Sequence, residues 1–164
     1  MKINYIKEIN DSKVYDVAEK TPISLLNKIS TKYNNTVFLK REDLQPIFSF
    51  KCRGAYNKIS SLNSEQISKG IIAASAGNHA QGVALSASKL NINALIVMPT
   101  TTPSIKIESV KKFGVEILLY GDSFDEAYEH ALTISKKDGR IFIHPFDDPL
   151  VIAGQGTVAK EIVE

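Results

Sequence analysis

The chain has 164 residues, 43% of them apolar and 23% charged, with a formal net charge of +2. That suits one ordinary globular domain or part of a larger one, with enough apolar surface to build a core. Its 20 Lys and Arg are spread along the chain, which excludes the basic footprint of nucleic-acid or anionic-membrane binding.

The N-terminus, Met1-Lys2-Ile3-Asn4-Tyr5-Ile6-Lys7-Glu8, carries an acid early and has no apolar signal core. No run approaches the ~18 apolar residues that cross a bilayer. Cys52 is the only cysteine, so no internal disulfide forms and a reducing, cytoplasmic setting is expected. The first thirty or so residues read as two helical segments around Thr21-Pro22. Residues 36–40 then read as a strand, and residues 52–62 as a helix. Residues 64–69 form a short helix closed by Gly70, and residues 71–74 a strand.

Residues 79–90 show helical spacing, with an apolar face of Ala80, Val83, Ala84, Ala87 and Leu90. Residues 94–98 are a buried-type strand. Pro103 opens a helix that Gly114 closes, and residues 115–120 are a strand. Ser123 and Glu126 form a capping box. The helix behind it should bury Phe124, Ala127, Tyr128, Ala131 and Ile134 and end at Gly139. Residues 141–143 are a further strand, and Asp148-Pro149 caps a last helix. This alternation predicts an α/β fold, a parallel sheet with helices on both faces. Ligands bind such sheets at the carboxyl ends of strands, which directs attention to residues 42–51, 75–78 and 99–103. Residues 157–164 read as helix running uncapped to the last residue, so a partial chain is expected.

Three motifs are candidates for chemistry. Ser75-Ala76-Gly77-Asn78-His79 lies between a buried strand and a helix, where backbone N–H groups and the helix dipole would hold a carboxylate or phosphate and Asn78 would cap the helix. The plain alternative is a strand-to-helix turn, with His79 an ordinary first-turn residue. Lys51 has Phe48, Phe50 and Cys52 around it. Desolvation there would favour the neutral amine that a nucleophilic lysine needs, although spacing by itself does not single it out. Gly154-Gln155-Gly156-Thr157-Val158-Ala159 matches the dinucleotide fingerprint G-x-G-x-x-A, and residues 150–153 before it are a candidate strand. Asp148-Pro149 argues instead for a helix there, with small residues at a helix–helix contact. His79, His130 and His144 are too scattered for a metal site, so no metal is expected.

Taken together, the motifs are similar to those of one family. Lys40-Arg-Glu-Asp-Leu-Gln-Pro46, Ser49-Phe-Lys-Cys-Arg-Gly-Ala-Tyr56 and Ala74-Ser-Ala-Gly-Asn-His-Ala-Gln-Gly-Val-Ala84 resemble threonine dehydratase. So do Ala94-Leu-Ile-Val-Met-Pro99, Phe142-Ile-His-Pro-Phe-Asp147 and Ile152-Ala-Gly-Gln-Gly-Thr157, in order, from about Val14 to Ile162. Lys40-Arg-Glu-Asp43 looks like the biosynthetic form that feeds isoleucine synthesis. The resemblance implies the fold of tryptophan synthase β-type enzymes (fold type II of pyridoxal-phosphate enzymes). Residues 1–45 would belong to a large domain, residues 46–145 would form a small domain, and residues 146–164 would begin the return to the large one.

The resemblance also implies a pyridoxal 5'-phosphate cofactor and roles for particular residues. Lys51 would bond to the cofactor and act as the catalytic base. Phe50 would pack near the cofactor, and Asn78 would hydrogen-bond its phenolic oxygen. The amides of Ser75, Ala76, Gly77, Asn78 and His79 would hold the substrate carboxylate. The implied reaction converts L-threonine to 2-oxobutanoate and ammonia, with L-serine as an alternative substrate, in a homo-oligomer. Relatives that racemise serine carry a second Ser where this chain has Ala76, which favours elimination here. The family's glycine-rich phosphate loop has no counterpart in these residues, so activity of the chain by itself is not expected. The competing expectations are a serine dehydratase or racemase, a nucleotide-binding domain built on residues 154–159, and a non-catalytic remnant.

Overall fold

Strands buried on both faces read as unbroken apolar runs rather than alternating ones, and this principle accounts for the central sheet. The computed structural model describes residues 3–164. Met1 and Lys2, which open the N-terminal segment assessed above for a signal core, lie outside the described residues. Strands β3 (Ile71–Ala74), β4 (Ala94–Met98), β5 (Glu116–Leu119) and β6 (Ile141–Phe142) form a four-stranded parallel sheet in the order β5-β4-β3-β6. Successive side chains point to opposite faces. Ile71 and Ala73 of β3 therefore pack with helices α3 (Lys51–Ile59) and α5 (Asn78–Leu90) through Ala55, Ile59, Val83, Ala84 and Ala87. Ile72 and Ala74 pack on the other face against Ala127 and Ala131 of α7 (Phe124–Asp138). Helix α4 (Ser64–Lys69) leads into β3, and α6 (Ser104–Lys111) connects β4 to β5.

The first part of the chain differs from expectation. Helix α1 (Tyr5–Asn10) forms, but the residues after Pro22 start with strand β1 (Ile23–Leu25) before helix α2 (Asn27–Tyr33). Strand β2 (Phe38–Lys40) pairs antiparallel with β1 in a separate two-stranded sheet and is no part of the parallel one. The alternation therefore begins at β3. Phe124 also departs from expectation: at 45% exposure it lies outside the core, beside Tyr128 in the groove that the turn after β6 forms with α7. The remaining elements match the expected ones to within a few residues, including the Ser123/Glu126 capping box.

Residues 150–153 are helical, inside α8 (Pro149–Val163), which Asp148 caps by accepting from the amides of Leu150 and Val151. This overturns the nucleotide-binding alternative, which needs a strand before Gly154 and a loop at it. Gly154 serves helix packing instead. A Cβ there would lie 2.7 Å from the Gly54 Cα, so α8 and α3 touch backbone to backbone. A Cβ at Gly156 would meet Ile9 of α1.

Beside this contact lies a buried ionic cluster. The Arg53 guanidinium is fully buried and donates to Glu42, to Glu161, to the Thr157 hydroxyl and to the Glu19 carbonyl. Glu161 also takes Lys40 (2.5 Å) and the Tyr15 hydroxyl (2.9 Å). Burial by itself would lower the Arg53 pKa, but the hydrogen bonds to Glu42 and Glu161 outweigh it and raise it. Arg53→Met should destabilise the chain by about 3–5 kcal/mol, because Glu42 is then left without a paired cation and Glu161 with Lys40 alone. Denaturant unfolding measures this. A loss below about 1 kcal/mol would make the cluster no stronger than an exposed pair.

Candidate active site

Strands β3, β4 and β5 step along the sheet in one direction, whereas β6 lies on the opposite side of β3. The sheet therefore changes direction between β3 and β6, and a crevice opens outside their carboxyl ends. Lys51 reaches into this crevice. The chain turns sharply at Phe48, held at φ +57 with its amide donating to the Gln45 carbonyl (2.8 Å), and enters α3 with Lys51 as the first helical residue. The Lys51 Nζ donates to the carbonyl of Pro145, just past β6, at 2.8 Å. It lies 5.5 Å from the centroid of the Phe50 ring. Partial burial pushes the amine's pKa down.

The apolar setting expected around Lys51 is only partly present. Phe50 flanks the amine, but Phe48 is 75% exposed, and Cys52 faces away into a separate core with Val14, Ala18 and Ile47. Burial pushes the Cys52 thiol up to about 11, leaving it protonated and unreactive.

The loop after β3 forms the second wall. The Ser75 amide continues the ladder to the Val97 carbonyl at 3.1 Å, and the Ser75 hydroxyl accepts from the Gly77 amide at 3.2 Å. Gly77, not Asn78, occupies the cap position of α5 and makes no side-chain cap bond. Asn78 is the first residue of the helix, with its side chain exposed. The first-turn amides of α5 therefore keep no internal partner, and the Asn78 carboxamide is not used to satisfy them. Asn78 and Gly82 stand one turn apart on the same face of α5. A Cβ at Gly82 would lie 2.8 Å from the Lys51 carbonyl. Asn78 thus lies on the face of α5 against which the start of α3 packs.

His79 is a structural tie. Its ring is buried, and Nε2 meets the Ile143 carbonyl at 2.9 Å; a carbonyl only accepts, so Nε2 carries the proton. Its Nδ1 is buried without a hydrogen-bond partner. Burial, helped by the nearby Lys51 charge, outweighs the Ile143 bond and pushes the imidazole down to about 4. At neutral pH it is uncharged, so only its backbone amide is available to an anion.

The turn after β6 is the third wall, which sequence reasoning missed. His144, Pro145 and Phe146, with Phe124, Asp125, Tyr128 and Glu129 of α7, line a groove of about 290 Å³. The strand-end rule, applied to β6 as it was to β3, would have found it. Residues 99–103 follow β4, the next strand along, and residues 42–45 turn inward to Arg53 instead of toward Lys51. A larger hollow of about 410 Å³, lined by Asn91, Asn93, Ala94 and Glu116 among others, lies at the opposite, amino ends of β4 and β5. No cluster of potential metal ligands and no helix long and apolar enough to cross a membrane occurs among the described residues.

Residues 14–164 match the family profile described as pyridoxal-phosphate dependent enzyme. The biosynthetic L-threonine dehydratase of Pasteurella multocida is 55% identical over 98% of this chain and 31% of its own length. The solved structure of the processed form of threonine deaminase isoform 2 from Solanum lycopersicum superposes with a TM-score of 0.92 and 56% identity, covering 96% of this chain and 44% of that one. Maize serine racemase superposes with a TM-score of 0.90 at 34% identity, covering 99% and 49%. The chain thus spans about a third of the length of the curated relatives it matches.

The buried neutral His79 makes stability depend on pH. Its folded-state pKa of about 4 lies below the ordinary 6.5, so the unfolded chain binds the proton more readily. Its contribution is complete above pH 6.5 and is lost as pH falls toward 4, by roughly 3 kcal/mol. Unfolding free energies measured across that window should slope steeply. In His79→Gln, which keeps a donor for the Ile143 carbonyl but does not titrate, the slope should flatten. Equal slopes would place the titration elsewhere.

Proposed function

Because the chain belongs to the pyridoxal-phosphate dependent enzyme family, we propose that it carries the lysine side of an enzyme that converts L-threonine to 2-oxobutanoate and ammonia. The observation that carries this reading is the position of the Lys51 amine, half-buried and hydrogen-bonded at the sheet's switch point beside the α5 N-terminus. The 55–56% identity to threonine-processing relatives supports the substrate, with L-serine as the alternative. The reading includes a place at the first step of isoleucine biosynthesis, which the biosynthetic names of the relatives support, and a homo-oligomeric assembly. The single buried Cys52 fits a reducing, cytoplasmic setting.

The residues present fit the aldehyde and ring end of pyridoxal 5'-phosphate. A lysine with a lowered pKa sits in a crevice, the Phe50 ring lies beside it, and the Asn78 carboxamide is exposed on the neighbouring helix face. Lys51 would hold the cofactor, Phe50 would pack on it and Asn78 would bond its phenolic oxygen. Gly154 and Gly156 lie inside α8 and serve packing, so they are no cradle for its phosphate. When bound, the cofactor supplies an electron sink for charge developing at the substrate Cα.

The chain's own residues would then divide the work. The backbone amides of Ala76, Asn78 and His79 and the α5 dipole would hold the substrate carboxylate, since those of Ser75 and Gly77 already donate to the Val97 carbonyl and the Ser75 hydroxyl. Lys51 takes the Cα proton, helped by the burial that favours its neutral form. Position 76 is an alanine without a hydroxyl, so no second base faces Lys51 from that position, which favours elimination over racemisation. We also retain the domain division, with residues 46–145 as the small domain and residues 1–45 and 146–164 belonging with the large one. The packing of α8 on α1 supports it, although α3 touches both parts.

Incubating the chain with pyridoxal 5'-phosphate, reducing with borohydride and mapping the peptides should place the pyridoxyl label on Lys51. In Lys51→Ala no single lysine should take its place. Label concentrated on another lysine would overturn the assignment.

A further inference from the structure

We propose that His144 is a positioning residue for Lys51: its Nδ1 accepts the backbone amides that fold the turn of residues 144–147, and this turn presents the Pro145 carbonyl to the Lys51 amine. The role assigned to Lys51 rests on the function proposed above; the geometry of the turn does not.

Strand β6 ends at Phe142, and the Ile143 amide makes one more bond to β3, at the Ile72 carbonyl (2.9 Å). The chain must then reverse before Asp148 caps α8. Pro145 and Asp147 suit a turn here, but no Gly or Asn is present to relax the backbone, and the His144 side chain closes the turn by accepting its amides. Its Nδ1 receives the Asp147 amide at 2.7 Å and the Phe146 amide at 3.3 Å. An atom that accepts from two N–H groups carries a lone pair, so the ring is neutral with its proton on Nε2.

The ring itself is fixed by aromatic neighbours. Phe146 lies edge-on at 4.7 Å between centroids, Phe142 at 6.2 Å and Tyr128 at 6.3 Å. Pro145, held between the acceptor and its donors, has no N–H, and its carbonyl takes the Lys51 ammonium at 2.8 Å. Lysine has four rotatable bonds and loses rotamer freedom when fixed. A fixed acceptor therefore decides where the free amine rests.

His144 is approached by Lys51 from α3 and by His79 from α5. Asp125, Tyr128 and Glu129 of α7 share its groove, and Asp147 lies within its own turn. No carboxylate within bonding distance of Lys51 competes with the Pro145 carbonyl among the described residues.

Two variants separate the acceptor from the ring packing. His144→Phe keeps an aromatic ring of similar size and removes the acceptor. His144→Asn removes the ring and keeps an oxygen where Nδ1 stood. The measurement is the pH profile of Lys51 reductive methylation by formaldehyde and cyanoborohydride, read by peptide mass spectrometry on the full chain without cofactor. Circular dichroism on the same samples reports folding. The unaltered chain and His144→Asn should share one midpoint. His144→Phe should shift it upward by about one pH unit, toward an ordinary lysine, as the turn opens to water.

An unmoved midpoint in folded His144→Phe, or an equal shift in His144→Asn, would overturn the proposal. If only His144→Phe lost its fold, the acceptor rather than the ring would be the essential feature, as proposed. Loss of fold in His144→Asn would count against it. A parallel sample with pyridoxal 5'-phosphate, followed by its absorbance, tests the functional reading separately. Failure of the unaltered chain to load would sink that reading and leave the methylation result standing.

Discussion

The start of α3 is held in place by a guanidinium that has been removed from water. Taking Arg53 into the interior costs several kcal/mol in lost hydration. Its fork geometry recovers that cost only if every N–H finds an acceptor, and here each does: Nε on Glu42, Nη1 on Thr157 and Glu161, and Nη2 on Glu19, Glu42 and Glu161. With Lys40 paired to Glu161, two cations meet two anions and the cluster is neutral. The acceptors come from three stretches of chain, those around residues 19, 42 and 161. One side chain therefore fixes α3 against both the N-terminal part of the chain and α8. Lys51 lies two residues before it, so the accuracy of the lysine's placement derives from the cluster.

The close approach of backbones does the rest. Between α3 and α8, Gly54 and Gly154 admit direct contact, and the Gln155 side-chain oxygen accepts the Gly54 amide at 3.2 Å. Between α3 and α5, Gly82 lies under the Lys51 carbonyl. A methyl group at either contact would push α3 outward, and an ångström of displacement there is carried directly to the amine. Gly154, part of the dinucleotide-fingerprint match in the sequence, is a spacer that sets how closely α8 approaches α3.

The parts of this arrangement that were legible in the sequence share a cause. Residues 71–74 and 94–98 are apolar at every position because helices cover both faces, and no surface loop imitates that pattern. Ser123 with Glu126 and Asp148 with Pro149 are local devices whose bonds close within four residues. What escaped was set by partners distant in sequence. Strand β1 is three residues long, with Ile23 and Leu25 both more than 40% exposed, so no burial pattern marks it; β2 is legible as a strand at residues 36–40, but its antiparallel pairing with β1 is not. Asn78 reads as a cap by composition, yet the chain swings into α5 one residue earlier, at Gly77. The His144 turn escaped because a ring nitrogen acting as backbone acceptor leaves no trace in residue propensities. The family likeness of Lys51 was readable; the carbonyl that receives its amine was not.

The electrostatics of the crevice follow one rule, which is to attract an anion without fixing a proton on Lys51. A carboxylate beside the amine would stabilise its charged form and weaken it as a base. The partner supplied is instead a neutral carbonyl, and burial then tips Lys51 toward deprotonation. The same logic keeps His79 uncharged: a second cation there would compete with Lys51 for any anion and would be costly so deep in the fold. Attraction for a carboxylate falls to the amides at the start of α5, whose partial charges act over one helical turn. A dipole of that kind attracts an anion without titrating, so the proposed carboxylate-holding side of the crevice stays constant over the pH range in which Lys51 changes state.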